Sequence, residues 1–178
     1  MANLKNSPKF EIHDDYYTPK KAWENIAHLI PKDKVIFEAC MKGSNLSKSP
    51  YYLKELGFEV VFDTEHNILE EFNKPFDIII SNPPFETEIK KKILKRLVEI
   101  DKPFIIIMNS MNTFTKYFRE IFKGNFEELQ IITPSNKINF DKMNIENGVE
   151  TLTPTKNCSF YCIYLAYKMN LKTEELWL

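Results

Sequence analysis

The chain has 178 residues, enough for one domain with a sizeable core but not for two. Hydrophobic residues make up 43% and charged residues 28%, so a mostly disordered chain is excluded. The 24 Lys and Arg residues nearly balance 25 Asp and Glu, and the formal net charge is −1. This balance excludes a strongly basic coat for nucleic acid and leaves only a local basic patch as an alternative.

Apolar patterning predicts helices and strands in alternation after a polar arm at residues 1–15. Helices are predicted over 19–30, 49–56, 86–100 and 112–122, where Pro19 suits a first turn, Asn112 is a candidate cap and Gly124 a stop. Strands are predicted over 34–40, 58–62, 76–80, 103–108, 126–132 and 159–167. The polar stretch 134–157 is predicted to be a loop and a candidate part of the active site.

This alternation favours a doubly wound α/β sheet with helices on both faces. Ligands of such sheets bind at the carboxyl ends of the strands, so the residues that follow each strand are the candidates for chemistry. Residues 16–178 are expected to form a single catalytic domain.

The three cysteines, Cys40, Cys158 and Cys162, do not have zinc-site spacing and are expected to be reduced core thiols. We see no signal-peptide pattern and no apolar run long enough to cross a membrane. The expected location is therefore the cytoplasm or another reducing compartment, with no membrane partner.

The most informative segment is Asn82-Pro83-Pro84-Phe85, directly after a predicted strand. Two prolines stiffen the backbone and donate no hydrogen bond, which leaves carbonyl acceptors available. The Asn82 side chain adds another acceptor, and Phe85 adds a flat face. The set suits a planar ring that bears an amino group, although Asn-Pro and Pro-Pro also mark ordinary turns.

This tetrapeptide resembles the (Asp/Asn)-Pro-Pro-(Tyr/Phe/Trp) motif of S-adenosylmethionine-dependent amino-methyltransferases, in the form typical of the adenine-N6 branch. Tyr16-Tyr17-Thr18-Pro19 is similar to the Tyr-x-Thr-Pro motif of that family. The motif order is that of the gamma group, and small phage and viral members are the most similar in length. The resemblance implies a Rossmann-like, doubly wound methyltransferase sheet, mostly parallel with a late antiparallel strand.

A cofactor site for S-adenosylmethionine follows from the resemblance. Asp63, which ends a predicted strand, is also the residue type that accepts ribose hydroxyls in doubly wound folds. Glu65 competes with Asn67 for the contact to the cofactor adenine. The loop lacks the family's second glycine and carries Lys42 instead, so a loop that no longer binds the cofactor is the alternative. The implied cofactor-binding residues are Tyr17, Thr18, Pro19, Glu38, Gly43, Asp63 and Asn67.

Three residues are predicted to contact the substrate. Lys91 belongs to a basic run at 90–96 that either contacts phosphate or is a solvated helix face. Lys137 and Phe140 match a basic-apolar-x-aromatic element of the family. The ring of Phe140 either stacks on the target base or belongs to the core, and both interpretations stay open.

The resemblance implies methyl transfer to the N6 amino group of adenine in nucleic acid, with DNA favoured over RNA and no metal required. An alternative is methylation of a protein glutamine, whose carboxamide also carries a planar NH₂, and another is a non-catalytic subunit. The short segment after the last predicted strand leaves no room for a separate target-recognition domain. We therefore expect weak sequence preference, unless a protein partner or an oligomer supplies recognition. For a viral member, the location is the host cytoplasm.

Overall fold

The computed structural model describes residues 16–41, 47–65, 68–70, 72–146, 149–155 and 158–178. Its helices are α1 (Lys20–Ile26), α2 (Ser49–Glu55), α3 (Thr87–Ile100) and α4 (Lys116–Ile121). Its strands are β1 (Tyr16–Tyr17), β2 (Val35–Glu38), β3 (Glu59–Phe62), β4 (Ile78–Ser81), β5 (Phe104–Asn109), β6 (Leu129–Ile132), β7 (Asp141–Glu146), β8 (Val149–Pro154) and β9 (Cys162–Tyr167).

The main sheet has six strands in the order β3-β2-β4-β5-β9-β6. Strands β3, β2, β4 and β5 are parallel, and β9 lies antiparallel between β5 and β6. This topology confirms the predicted α/β fold: a Rossmann-like, mostly parallel sheet with a late antiparallel strand. The carboxyl ends of β2, β3, β4 and β5 consequently lie along one edge of the sheet.

Helices cover both faces of this sheet, as the alternation predicts. Ile78 and Ile80 belong to the core layer that contains α1 and α2, whereas Ile79 belongs to the layer of α3 and α4. All three isoleucines are at most 2% exposed. The continuous apolar run of β4 therefore reflects burial on both faces, which is typical of a central parallel strand.

The prediction of a loop over 134–157 is wrong. Strands β7 and β8 form an antiparallel hairpin within this stretch, and β1 pairs with β7 to complete a second sheet of three strands. The first four residues of β7 alternate between half-buried and exposed, so this part of the strand has no fully buried face. The ladder pairs Met143 with Leu152, but most of its other pairs contain polar residues, so the apolar alternation is short and weak.

Two other predicted elements change character along their length. The predicted helix over 112–122 is a 3-10 helix, Ser110–Phe114, followed by α4. The break falls at Thr115, whose hydroxyl accepts a hydrogen bond from the Phe118 amide and caps α4, so Asn112 is not the cap of that helix. The predicted strand over 126–132 begins with a 3-10 helix, Phe126–Glu128, and only its second half is β6.

The first predicted helix is also shorter than its pattern. It is α1 up to Ile26 and a 3-10 turn at Ala27–Leu29. None of the helices in the described ranges is both long enough and apolar enough to cross a membrane.

Candidate active site

The residues that follow β4 contain a buried acceptor without a partner. The side-chain oxygen Oδ1 of Asn82 is inaccessible to solvent and accepts no hydrogen bond in the structure. It is the one such buried side-chain atom within the described residues. Buried polar atoms in folded proteins are nearly always paired, so an exception at the carboxyl edge of a parallel sheet points to a ligand group that donates there.

The backbone on both sides of this acceptor is held in place. We call residues 82–85 the β4 turn. Immediately before it, the hydroxyl of Ser81 donates to a carboxylate oxygen of Glu38, which ends the neighbouring strand β2. Immediately after it, the carboxylate of Glu86 accepts from the amides of Glu88 and Ile89 and caps α3. The β4 turn is thus fixed between a side-chain contact across the sheet and a capped helix.

A buried lysine reaches back to the same turn. Lys90 is 5% exposed, and its Nζ donates to the carbonyl oxygen of Phe85 at 2.9 Å. The ammonium also lies 5.7 Å from the centroid of the Phe85 ring. A hydrogen bond with a charged donor is stronger than a neutral one, so Lys90 restrains the end of the turn.

Four aromatic rings meet beside the β4 turn, and we call Tyr16, Phe85, Phe140 and Phe160 the aromatic cluster. Every pair of these rings has centroids between 5.0 and 6.0 Å apart. Tyr16 belongs to β1, so the N-terminal Tyr-x-Thr-Pro segment lies against the Asn-Pro-Pro-Phe segment.

The three predicted substrate residues lie in different environments. Phe140 is fully buried in the aromatic cluster, so its ring has no exposed face. Lys137 is half-buried, and its Nζ donates to the carbonyl oxygen of Cys158. Lys91 pairs with Glu88 at 2.7 Å on the surface of α3. Their roles in substrate binding stay predictions.

Two of the predicted cofactor residues, Glu38 and Asp63, lie at the ends of β2 and β3, whereas Tyr17, Thr18 and Pro19 belong to the N-terminal segment. Glu38 ends β2, and Asp63 follows β3 and lines a cleft of about 440 Å³. Thr18 is buried at the start of the chain's described part, and Pro19 precedes α1 directly. Tyr17 pairs with Asp141 in the small sheet. The predicted residues Gly43 and Asn67 lie outside the described residues.

Glu38 has an unusual electrostatic environment. Burial raises the pKa of its carboxyl group from 4.5 to about 7, although hydrogen bonds from Ser81 and from backbone amides oppose that rise. Burial likewise raises the pKa of the neighbouring Cys40 thiol to about 12. The thiol is therefore protonated at neutral pH and is a poor nucleophile.

The raised pKa of Glu38 makes a prediction about stability. Because the folded state holds this proton more tightly than the unfolded state, the free energy of unfolding falls as pH rises from 4.5 to about 7. The loss amounts to at most about 3 kcal/mol. Glu38→Gln keeps an oxygen acceptor for Ser81 and does not titrate.

The measurement is urea unfolding of both proteins at pH values below and above this window. At the higher pH, the free energy of unfolding of the wild type should be lower, relative to that of Glu38→Gln, than it is at the lower pH. A difference that does not change with pH would contradict a protonated, buried Glu38.

Sequence reasoning did not single out several residues of this site. Ser81 and Lys90 contact the β4 turn, and Tyr16 and Phe160 complete the aromatic cluster. Tyr16 was visible as the first residue of the Tyr-x-Thr-Pro segment. The burial of Lys90 could not be predicted, because it belongs to a run of basic residues and its neighbours in sequence are exposed or half-buried.

Neither family models nor curated protein sequences match the chain. Solved structures do. One from Listeria monocytogenes, described as a class I S-adenosylmethionine-dependent methyltransferase, has a TM-score of 0.51 at 12% identity over 92% of this chain and 65% of its own. A S-adenosylmethionine-dependent O-methyltransferase of Thermotoga maritima has a TM-score of 0.45 at 14% identity, over 83% of this chain and 64% of its own.

The likeness to the Listeria structure establishes the fold. At this low identity it carries no activity or substrate to this chain, and the chain spans slightly less than two thirds of the length of these neighbours. A fold of this kind hosts many activities and does not by itself specify one.

Proposed function

We propose that this protein transfers a methyl group from S-adenosylmethionine to the N6 amino group of adenine in nucleic acid, with DNA favoured over RNA. One observation carries the proposal. The Asn82 oxygen is a buried acceptor that lacks a donor, and it lies in a turn whose two prolines provide further carbonyl acceptors. An exocyclic amino group is a donor of the right kind to occupy this position.

The described residues fit the cofactor that this reaction requires. When bound, S-adenosylmethionine supplies a methyl group that is already activated for transfer. Asp63 follows β3 and lines a cleft, where a carboxylate can accept the ribose hydroxyls. Glu38, at the end of the adjacent strand β2, is the second carboxyl group at this edge of the sheet. We propose that both residues hold the cofactor on this side of the β4 turn.

In the reaction, Asn82 Oδ1 and the carbonyl oxygen of Pro83 accept the two hydrogens of N6. These contacts would draw the nitrogen toward tetrahedral geometry, so that its lone pair could attack the methyl carbon of the bound cofactor. The methyl–sulfur bond would break in the same step, and the sulfur would leave as a neutral thioether. Positive charge develops on the nitrogen, and the two acceptors stabilise that charge more strongly in the transition state than in the ground state. An amide oxygen is not a base at neutral pH, so the surplus N6 proton leaves to solvent.

Aromatic residues favour adenine over glutamine as the methyl acceptor. Phe85 belongs to the β4 turn, is half-buried and packs against the three other rings of the aromatic cluster. A purine gains from stacking on such a surface, by about 1–3 kcal/mol per base, whereas a carboxamide has little area to stack. The chain also has Phe where glutamine methyltransferases usually have Tyr.

The proposal is tested by identifying the methylated product. The protein is incubated with isotopically labelled cofactor and with DNA, RNA or a denatured protein mixture, and each digest is analysed by mass spectrometry. We expect label in N6-methyladenine, with more in DNA than in RNA. Label in N-methylglutamine would instead support the alternative substrate, and label in neither product would overturn the proposed reaction.

A further inference from the structure

An exposed apolar surface lies at the same edge of the sheet as the β4 turn. It consists of Met111, Phe114 and Tyr161, which are 65%, 71% and 67% exposed, and we call it the β5 rim. Met111 and Phe114 belong to the 3-10 helix that follows β5, and Tyr161 directly precedes β9. The backbone amide of Ser110 donates to the carbonyl oxygen of Tyr161 at 2.9 Å, so the two segments are joined.

Strand register places this surface next to the proposed reaction centre. Ser81 at the end of β4 is opposite Ile106 of β5, and β5 continues three residues further toward the edge. The β4 turn and the β5 rim therefore leave neighbouring strands in the same direction. Glu38 and Asp63 lie at the ends of β2 and β3, on the other side of the turn. The β4 turn thus separates the proposed cofactor side from the β5 rim.

Lysine side chains lie over aromatic rings around this surface. The Nζ atom of Lys137 is 4.5 Å from the centroid of the Tyr161 ring. Between α3 and α4, Lys91 Nζ is 5.3 Å from the centroid of the Tyr117 ring, and it also pairs with Glu88. An exposed ion pair of this kind contributes little and exchanges readily for another anion. Flat exposed rings beside cations are the combination that binds bases and phosphates of an unpaired strand.

We propose that the β5 rim binds the unpaired nucleotides that flank the target adenine, with bases stacked on Phe114 and Tyr161 and a phosphate at Lys137. The proposal rests on the proposed function and specifies its substrate as single-stranded, or locally unpaired, nucleic acid. Paired bases in a duplex are already stacked on each other and offer no face to these rings. The lysines favour a polyanion over an apolar protein segment, since such a segment has no charge to pair with them.

The test is equilibrium binding of a fluorescent single-stranded oligonucleotide with one adenine, without cofactor, to the full chain. Phe114→Ala and Tyr161→Ala should each weaken binding by about 5- to 150-fold, the effect of losing one base-stacking contact. The matched control is Phe126→Ala, which removes another half-exposed Phe, in the 3-10 helix that precedes β6 on the opposite edge of the sheet. It should bind like the wild type.

Charge is tested separately with Lys137→Gln, which should lower the slope of log affinity against log salt by about one phosphate contact. Lys123→Gln, at an exposed position after α4, should leave the slope unchanged. Melting curves of all five variants should match the wild type.

The outcomes separate this inference from the proposed function. The β5 rim is overturned if Phe114→Ala and Tyr161→Ala bind like Phe126→Ala, or if a duplex of the same sequence binds as tightly as the single strand. If the wild type binds single strands through these rings but forms no methyladenine, the β5 rim is supported and the proposed reaction is overturned. If both variants still methylate adenine and bind the oligonucleotide as tightly as the wild type, the β5 rim is overturned and the proposed reaction is supported.

Discussion

Asn82→Ala is expected to lower the turnover of adenine methylation by about 10²- to 10³-fold while leaving the affinity for S-adenosylmethionine near that of the wild type. The substitution removes one of the two acceptors for the N6 amino group, and both act mainly in the transition state. It does not touch Glu38 or Asp63, which lie at the ends of other strands. Turnover is measured with labelled cofactor on a saturating oligonucleotide.

Stability separates a functional Asn82 from a structural one. A buried acceptor without a donor costs the folded protein about 1–3 kcal/mol, so removing it should not lower the free energy of unfolding appreciably. Loss of turnover with unchanged stability is the signature of a group kept for its ligand. A large loss of stability would show that the side chain supports the turn and not the reaction.

Two further variants complete this test. Asn82→Asp keeps an oxygen acceptor at the same position and should retain more turnover than Asn82→Ala. Asn144→Ala removes an exposed amide in the hairpin, where its Nδ2 atom donates to Thr153, and should have wild-type turnover. Turnover of Asn82→Ala within about twofold of this control would exclude the assigned role of Asn82.

The main sheet could be predicted from sequence because each of its strands is a short apolar run that follows a helical pattern or a turn. The run at β4 is the clearest case, since burial on both faces leaves isoleucine at three successive positions. The Asn-Pro-Pro-Phe segment could be predicted for a related reason: its chemistry lies in consecutive residues, so no knowledge of long-range contacts is needed.

The aromatic cluster and the pair formed by Glu38 and Ser81 could not be predicted in this way. Tyr16 and Phe160 are distant in sequence, and only the placement of β1 beside β7 and of β9 beside β5 brings their rings together. The contact from Ser81 to Glu38 depends on the register of two parallel strands, which the apolar pattern leaves undetermined.

Phe140 illustrates how the same signal supports two interpretations. Its place in the basic-apolar-x-aromatic element predicts stacking on the target base, whereas its apolar side chain is equally consistent with a place in the core. The structure buries it completely within the aromatic cluster, against Tyr16 and Phe85. A role for Phe140 in base binding would require the cluster to open, whereas the half-buried Phe85 needs a smaller rearrangement.

Asp63 provides the second large expected effect. One of its carboxylate oxygens accepts a hydrogen bond from the backbone amide of Glu65 at 2.8 Å, which forms a tight turn at the end of β3. The proposed contact to the cofactor ribose adds a charge-assisted hydrogen bond, typically about 1.5–3 kcal/mol. Asp63→Ala is therefore expected to weaken S-adenosylmethionine binding by about 10- to 150-fold.

Calorimetric titration of S-adenosylmethionine into four proteins makes this prediction specific. Asp63→Asn keeps an oxygen acceptor for the turn but removes the charge, so its affinity should fall between those of the wild type and Asp63→Ala. Glu59→Ala removes an exposed carboxylate at the other end of β3, outside the cleft lining, and should bind the cofactor nearly as well as the wild type. Equal losses in Asp63→Ala and Glu59→Ala would mean that general negative charge, and not a ribose contact, attracts the cofactor. Absence of binding by the wild type itself would favour the non-catalytic alternative, because the glycine-poor segment after β2 would then lack the cofactor affinity that the reaction needs.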